Sequence, residues 1–163
     1  MRFGLSLLTT IAWGLWFGGM VGLFVFVSYL FVADRPTAVV AAPRMFAVFE
    51  RYQLILAAAA LIACAAWRMV DRRGVITALF AAFALAAVGV VLSATVIRPP
   101  MERLREQGES SGTEFHRLHK VSERVYSAQA VVLLIGGIIL HYALTPRAPK
   151  TRPATAPPTT PPA

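Results

Sequence analysis

The chain has 163 residues, of which 57% are hydrophobic, and a mean hydropathy of +0.63, a balance outside the range of soluble globular domains. Its formal net charge of +8 would point to nucleic acid in a soluble protein. In so apolar a chain it reads instead as membrane orientation and attraction to anionic headgroups, with the lipid bilayer and not nucleic acid as the partner.

Four apolar runs, at 5–32, 46–70, 75–97 and 125–144, each approach or exceed the ~20 residues that cross a bilayer core as a helix. Helices are expected because a spanning segment must satisfy its own backbone groups. The fold class expected is all-α: an integral membrane four-helix bundle with a polar, partly helical third loop and a disordered Pro-rich C-terminal tail. Residues 1–145 form one four-span domain and 146–163 the tail.

The first run is too long for a removable signal and reads as a retained anchor. It carries Gly14, Gly18 and Gly22 four apart on one stripe, beside Trp13, Trp16 and Phe17. Such a stripe lets another helix come close. Packing inside one bundle is expected, with a homo-oligomer seam through span one as the alternative. The link to the second span holds Asp34-Arg35-Pro36 and Pro43, residues suited to a turn and a helix start. In the second span Phe46, Phe49 and Gln53 share a face. Glu50 and Arg51 are read as interfacial, the alternative being a buried Glu50 paired with a loop arginine. Asp71-Arg72-Arg73-Gly74 is a short turn, and the third span is an apolar central helix. Cys64, the single cysteine, reads as a small apolar residue.

Residues 98–126 form the one long polar piece between apolar runs, with two of the three histidines and five of the eight acidic residues. A mostly helical connection is expected, broken near 108–112, where Gly108, Ser110, Ser111 and Gly112 are poor helix formers. Taken as a helix, 115–129 places His116, His119, Glu123 and Tyr126 on one face. His116, His119 and Glu123 are therefore the metal-ligand set considered, with Glu102 or Glu106 completing it. His119 is expected to point inward, half-buried, toward residues 98–105. The alternative is an interfacial helix whose histidines bond headgroups, carbonyls or Glu123. A haem is disfavoured: His119 and His141 lie about 33 Å apart along a continuous helix, and His116 and His119 share a face. No GxSxG, P-loop or GxGxxG motif is present, and no enzyme activity is expected. No cofactor is required, although a transition metal fits the polar segment.

The last span ends at His141-Tyr142, and the tail holds seven of the eleven prolines, a composition that cannot bury a core. Arg2, the basic cluster at 68–73 and the basic tail would share one side if both termini are cytoplasmic. Arginine outnumbers lysine fourteen to two, which hints at a GC-rich bacterial source and hence an inner membrane.

Trp13-Gly14, Gly18, the block 46–52, the segment 98–105 and Phe115-His116-Arg117-Leu118-His119-Lys120-Val121-Ser122 resemble the transmembrane protein 205-like family, a small four-span group of unknown function. The likeness covers most of 8–144. It implies family-signature or binding positions at Trp13, Gly14, Gly18, Phe46, Phe49, Pro100, Glu102, Arg103, His119 and Ser122. The family's asparagine four residues after the serine is Tyr126 here. The animal member's link to platinum-drug tolerance implies handling of metal ions or metal complexes through 98–126. A structural or partner-binding protein using the Gly14/Gly18/Gly22 face is the alternative, and a haem-containing membrane oxidoreductase a third.

Overall fold

The computed structural model describes residues 2–145, so the proline-rich tail lies outside the described residues. The elements are α1 (Arg2–Ala33), α2 (Arg35–Val70), α3 (Gly74–Leu92), a π turn (Ser93–Ile97), α4 (Arg98–Glu106) and α5 (Thr113–Leu144). No strand occurs among these residues. α3, the π turn and α4 run on as one rod, so four helices are long and apolar enough to cross a membrane. The all-α four-helix bundle is the architecture observed.

Short connections make neighbours antiparallel. One residue, Asp34, separates α1 from α2. Its carboxylate accepts from the Thr37 amide at 3.2 Å and the Thr37 hydroxyl at 2.6 Å, capping α2, and Pro36 follows in the first helical turn. The link expected from 33 to 44 is therefore helix except at Asp34, and α2 passes through Pro43. The helices order as α1, α2, α3, α5 around the bundle, with α1 closing against α5.

One end of the bundle, here the turn end, holds Arg2, residues 71–73 and Thr145. Arg73 donates to Asp71 and to the Ala143 carbonyl, and Arg2 reaches the Val70 carbonyl. The opposite loop end holds Asp34, α4 and residues 107–112. There α4 stops where expected. Gly108 takes φ +77°, a left-handed conformation that favours glycine, and the Glu109 and Gly108 amides return to the Leu104 and Arg105 carbonyls.

The core is a ladder of Trp16 and Met20, Leu56, Ala60 and Trp67, Ile76, Leu79 and Phe83, and Leu133 and Leu140. Apolar side chains are exposed on the outer faces of all four rods, α1 included, as a hydrocarbon solvent allows. Gly14, Gly18 and Gly22 have no neighbour within 4 Å of a built Cβ. The expectation that this stripe packs within the bundle is thereby corrected: it faces outward. Close approach occurs instead at Gly19, which meets Phe49, and at Gly137, which seats the Trp13 ring. Trp13 Nε1 also donates to the Leu133 carbonyl at 2.8 Å, locking α1 to α5.

The π turn has a covalent cause. Pro99 and Pro100 have no N–H, so the Thr95 and Val96 carbonyls lose their α-helical donors. The Arg98 N–H bonds five residues back to the Ser93 carbonyl. The extra residue in that turn rotates α4 by about 100° relative to an unbroken α-helix, and the first residue of α4 is Arg98.

Candidate functional site

Between α2, α3 and α5 the bundle encloses a polar layer. Glu50 and Gln53 lie three apart on α2, Ser93 opens the π turn, and Gln129 comes from α5; they are 4%, 1%, 5% and 3% exposed. Measured from the turn end at 1.5 Å per residue, Gln53, Ser93 and Gln129 lie about 22–28 Å deep and Glu50 about 30 Å. A hydrocarbon core of about 30 Å that begins at the charges of 68–73 thus contains the glutamines and Ser93. Glu50 lies at its far boundary.

The Arg98 guanidinium meets the Glu50 carboxylate at 2.8 Å and the Glu102 carboxylate at 2.7 Å. One cation thus serves two carboxylates, the first buried and the second half-exposed one turn along α4. A carboxylate buried without a partner is severely penalised, and Arg98 supplies that partner to Glu50. Phe46 and Tyr126 pack edge to face at 5.6 Å on the same two helices. Glu50 keeps its boundary depth but turns inward: the alternative of a buried Glu50 paired with a loop arginine is the arrangement observed. The apolar and small stripe of Ala57, Ala60, Cys64 and Trp67 on α2 runs back at three- and four-residue steps to Gln53 and Glu50. That continuation is the signal in the sequence that places Glu50 inside.

Below the ion pair, Gln129 Nε2 donates to Gln53 Oε1 at 3.1 Å. Gln53 Nε2, Gln129 Oε1 and Ser93 Oγ are buried without partners, as is Trp16 Nε1 in the apolar core. The layer thus presents unpartnered donors and acceptors within the membrane's depth.

The histidine face lies elsewhere. His119 Nε2 is 3.2 Å from Glu123 Oε1, with the side chains 55% and 63% exposed. The His119 ring stacks on Phe115, and His116 Nδ1 lies 3.0 Å from the Gly112 carbonyl. The inward-pointing, half-buried His119 is therefore corrected. α5 extends past the close-packed part of the bundle, and one contact of its first turns with α4 is Phe115 under Arg105 at 5.5 Å. Among the described residues no three His, Cys, Asp or Glu side chains are grouped to hold a metal ion. Of the signature positions, Glu102 joins the ion-pair site and Phe46 packs beside it on Tyr126, while Phe49 faces Gly19 of α1. Pro100 helps cause the π turn, while Arg103 is exposed and Ser122 half-buried on α5. Trp13 locks α1 to α5, and Gly14 and Gly18 face outward.

Four antiparallel helices of spanning length, apolar outside and polar in one inner layer, define a multi-pass integral membrane protein. The chain belongs to the family described as a domain of unknown function (DUF4149), whose model matches residues 11–110. The matched stretch contains Glu50, Gln53, Ser93, Arg98 and Glu102. No curated protein and no solved structure matches the chain.

Proposed function

We propose that this protein is a non-enzymatic membrane-embedded binder of a small polar solute, taken between α2, α3 and α5 from the loop end. The observation that carries this reading is Glu50, an ionisable residue buried in a spanning helix and held by Arg98 beside a π turn. Ionisable groups buried inside a membrane bundle are costly and mark sites and pathways, and π turns gather at functional positions. Arg98, shared between Glu50 and the half-exposed Glu102, is the natural gate. Kinship with the transmembrane protein 205-like family belongs to this reading and rests on the blocks 46–52, 98–105 and 115–122. It would add metal ions or complexes as a cargo met outside the inner layer, where His116 and the His119–Glu123 pair are exposed donors. The turn end is assigned to the cytoplasmic face of a bacterial inner membrane, on the strength of Arg2, Arg68, Arg72 and Arg73.

The test is aqueous access. In a Cys64→Ser background, Ser93→Cys should react with neutral, water-soluble hydroxyethyl methanethiosulfonate in vesicles at least tenfold faster than lipid-facing Leu85→Cys. Equal, negligible rates at both positions would refute a solute site.

A second reading is favoured by the outward glycine stripe: self-association through Gly14, Gly18 and Gly22, where a second copy could approach the helix backbone. Gly18→Leu should then convert a dimer in detergent into a folded monomer. A monomeric wild-type protein rejects this reading.

A further inference from the structure

We infer that the layer formed by Gln53, Gln129 and Ser93 takes a neutral ligand that both donates and accepts hydrogen bonds, with water the smallest member of the class and a carboxamide a larger one. This rests on the solute-site reading and names the ligand class at its inner end. The two amides are joined by one bond, from Gln129 Nε2 to Gln53 Oε1. That leaves Gln53 Nε2 as a spare donor and Gln129 Oε1 as a spare acceptor. Flipping both amides reverses the bond and again leaves one donor and one acceptor. The remainder is therefore independent of how oxygen and nitrogen are assigned. Ser93 Oγ adds a buried hydroxyl capable of either role.

These groups select by charge. A cation would engage the spare acceptor and the hydroxyl but leave an amide N–H facing positive charge. An anion would engage the N–H and leave the amide oxygen facing negative charge. The buried charge nearest along α2, Glu50, already has its counter-ion in Arg98 at 2.8 Å. A neutral group with a donor and an acceptor satisfies both spare amide groups without adding a buried charge, and the Ser93 hydroxyl lies farther along the same wall. Gly89 lies one turn before Ser93 on α3 and bares the backbone beside Gln129; a Cβ there would sit 3.7 Å from Gln129 Oε1. That is ordinary contact, so Gly89→Ala fits the bundle while taking space next to the spare acceptor.

The experiment uses full-length protein in nanodiscs with glutamine side-chain amides labelled with nitrogen-15. The chain has three glutamines, and Gln107, exposed beyond α4, is the internal control. The side-chain amides of Gln53 and Gln129 should show magnetisation transfer from bound water, or shifts that saturate with added acetamide. Either response should vanish in Gly89→Ala, with Gln107 unchanged and the backbone spectrum retained. Water contact alone identifies water as the occupant, and saturation by acetamide extends the class to small solutes. Saturable shifts with sodium, ammonium or acetate ions overturn the neutral assignment, as does the absence of both water contact and acetamide response. If the thiol of Ser93→Cys reacts in the access test while these amides fail to respond, the solute site stands and only its ligand class falls.

Discussion

Each end of the bundle holds an arginine paired with a carboxylate, and the two pairs differ in reach. At the turn end Arg73 meets Asp71 two residues away at 2.9 Å, and its other nitrogen donates to the Ala143 carbonyl at 2.7 Å. At the loop end Arg98 crosses to Glu50, 48 residues earlier and on another helix. The first arginine tidies a turn and ties down the last carbonyls of α5. The second neutralises a carboxylate that the packing has already removed from solvent. The turn half is thus held by apolar packing with polar trim at its rim, and the loop half by polar groups inside it.

The contrast is tested most severely at Arg98. Arg98→Leu leaves Glu50 buried without a counter-ion and should lower stability by about 3–5 kcal/mol, read from unfolding in mixed micelles. Adding Glu50→Leu should recover most of that loss, because the pair removed together leaves no orphaned charge. Equal destabilisation by the single and double variants would mean that the pair does not couple. Arg73→Met at the other end should cost less: Asp71 is itself buried, at 8% exposed, but it sits at the end of the bundle, where water can replace the lost guanidinium.

A smaller effect is expected in the turn half, from packing. Gly137→Ala would drive a Cβ into the Trp13 ring, forcing the ring off its seat and weakening its bond to Leu133; about 1–3 kcal/mol is expected for overpacking of this kind. Gly18→Ala, which meets open space, is the control and should leave the melting curve of the monomer unchanged. A loss at Gly18 matching that at Gly137 would break the assignment of inner and outer faces on α1.

These residues also show what could be read from the sequence. The spans followed from uninterrupted apolar runs, and the break near 108–112 from glycine and serine chemistry, because both are local. Which face of a helix turns inward is not local. Gly14, Gly18 and Gly22 form the same stripe whether it meets a helix or lipid, and the histidines share a face whether α5 is covered there or not. Glu50 stood next to Arg51 and looked interfacial; its partner lies 48 residues on and is aimed by a π turn whose cause is two prolines. Pro99 and Pro100 were in view, but the rotation they impose on Arg98 acquires meaning only beside α2.

An effect of the same order separates the glutamines from the ion pair. Gln53→Leu should cost about 1–3 kcal/mol, the penalty for leaving Gln129 buried and unbonded. Gln53→Leu with Gln129→Leu should return close to wild type, because no amide then remains to be satisfied. Additive losses in the double variant would show that the amides act independently and that the loop half is held by the ion pair alone.

The smallest effect sits at the rim of the loop end, where Asp34 caps α2 from solvent. Its carboxyl is held below its ordinary value of 3.8 by the Thr37 hydroxyl, with the Thr37 amide adding to it. A lowered folded-state pKa means that the stabilisation is complete above the unfolded value and is lost as pH falls through the folded one. The consequence is local fraying and not unfolding, because the cap is exposed and the packed length of α2 lies elsewhere. Protection of the Thr37 amide from hydrogen exchange, normalised for intrinsic rate, should therefore hold steady above about pH 5 and decline below 3.8. In Asp34→Asn, which can still accept that bond but does not titrate, the protection should be independent of pH across the same window. A decline in both proteins would place the acid sensitivity on some other carboxylate at this end, with Glu102, half-exposed beside Arg98, the next to be replaced.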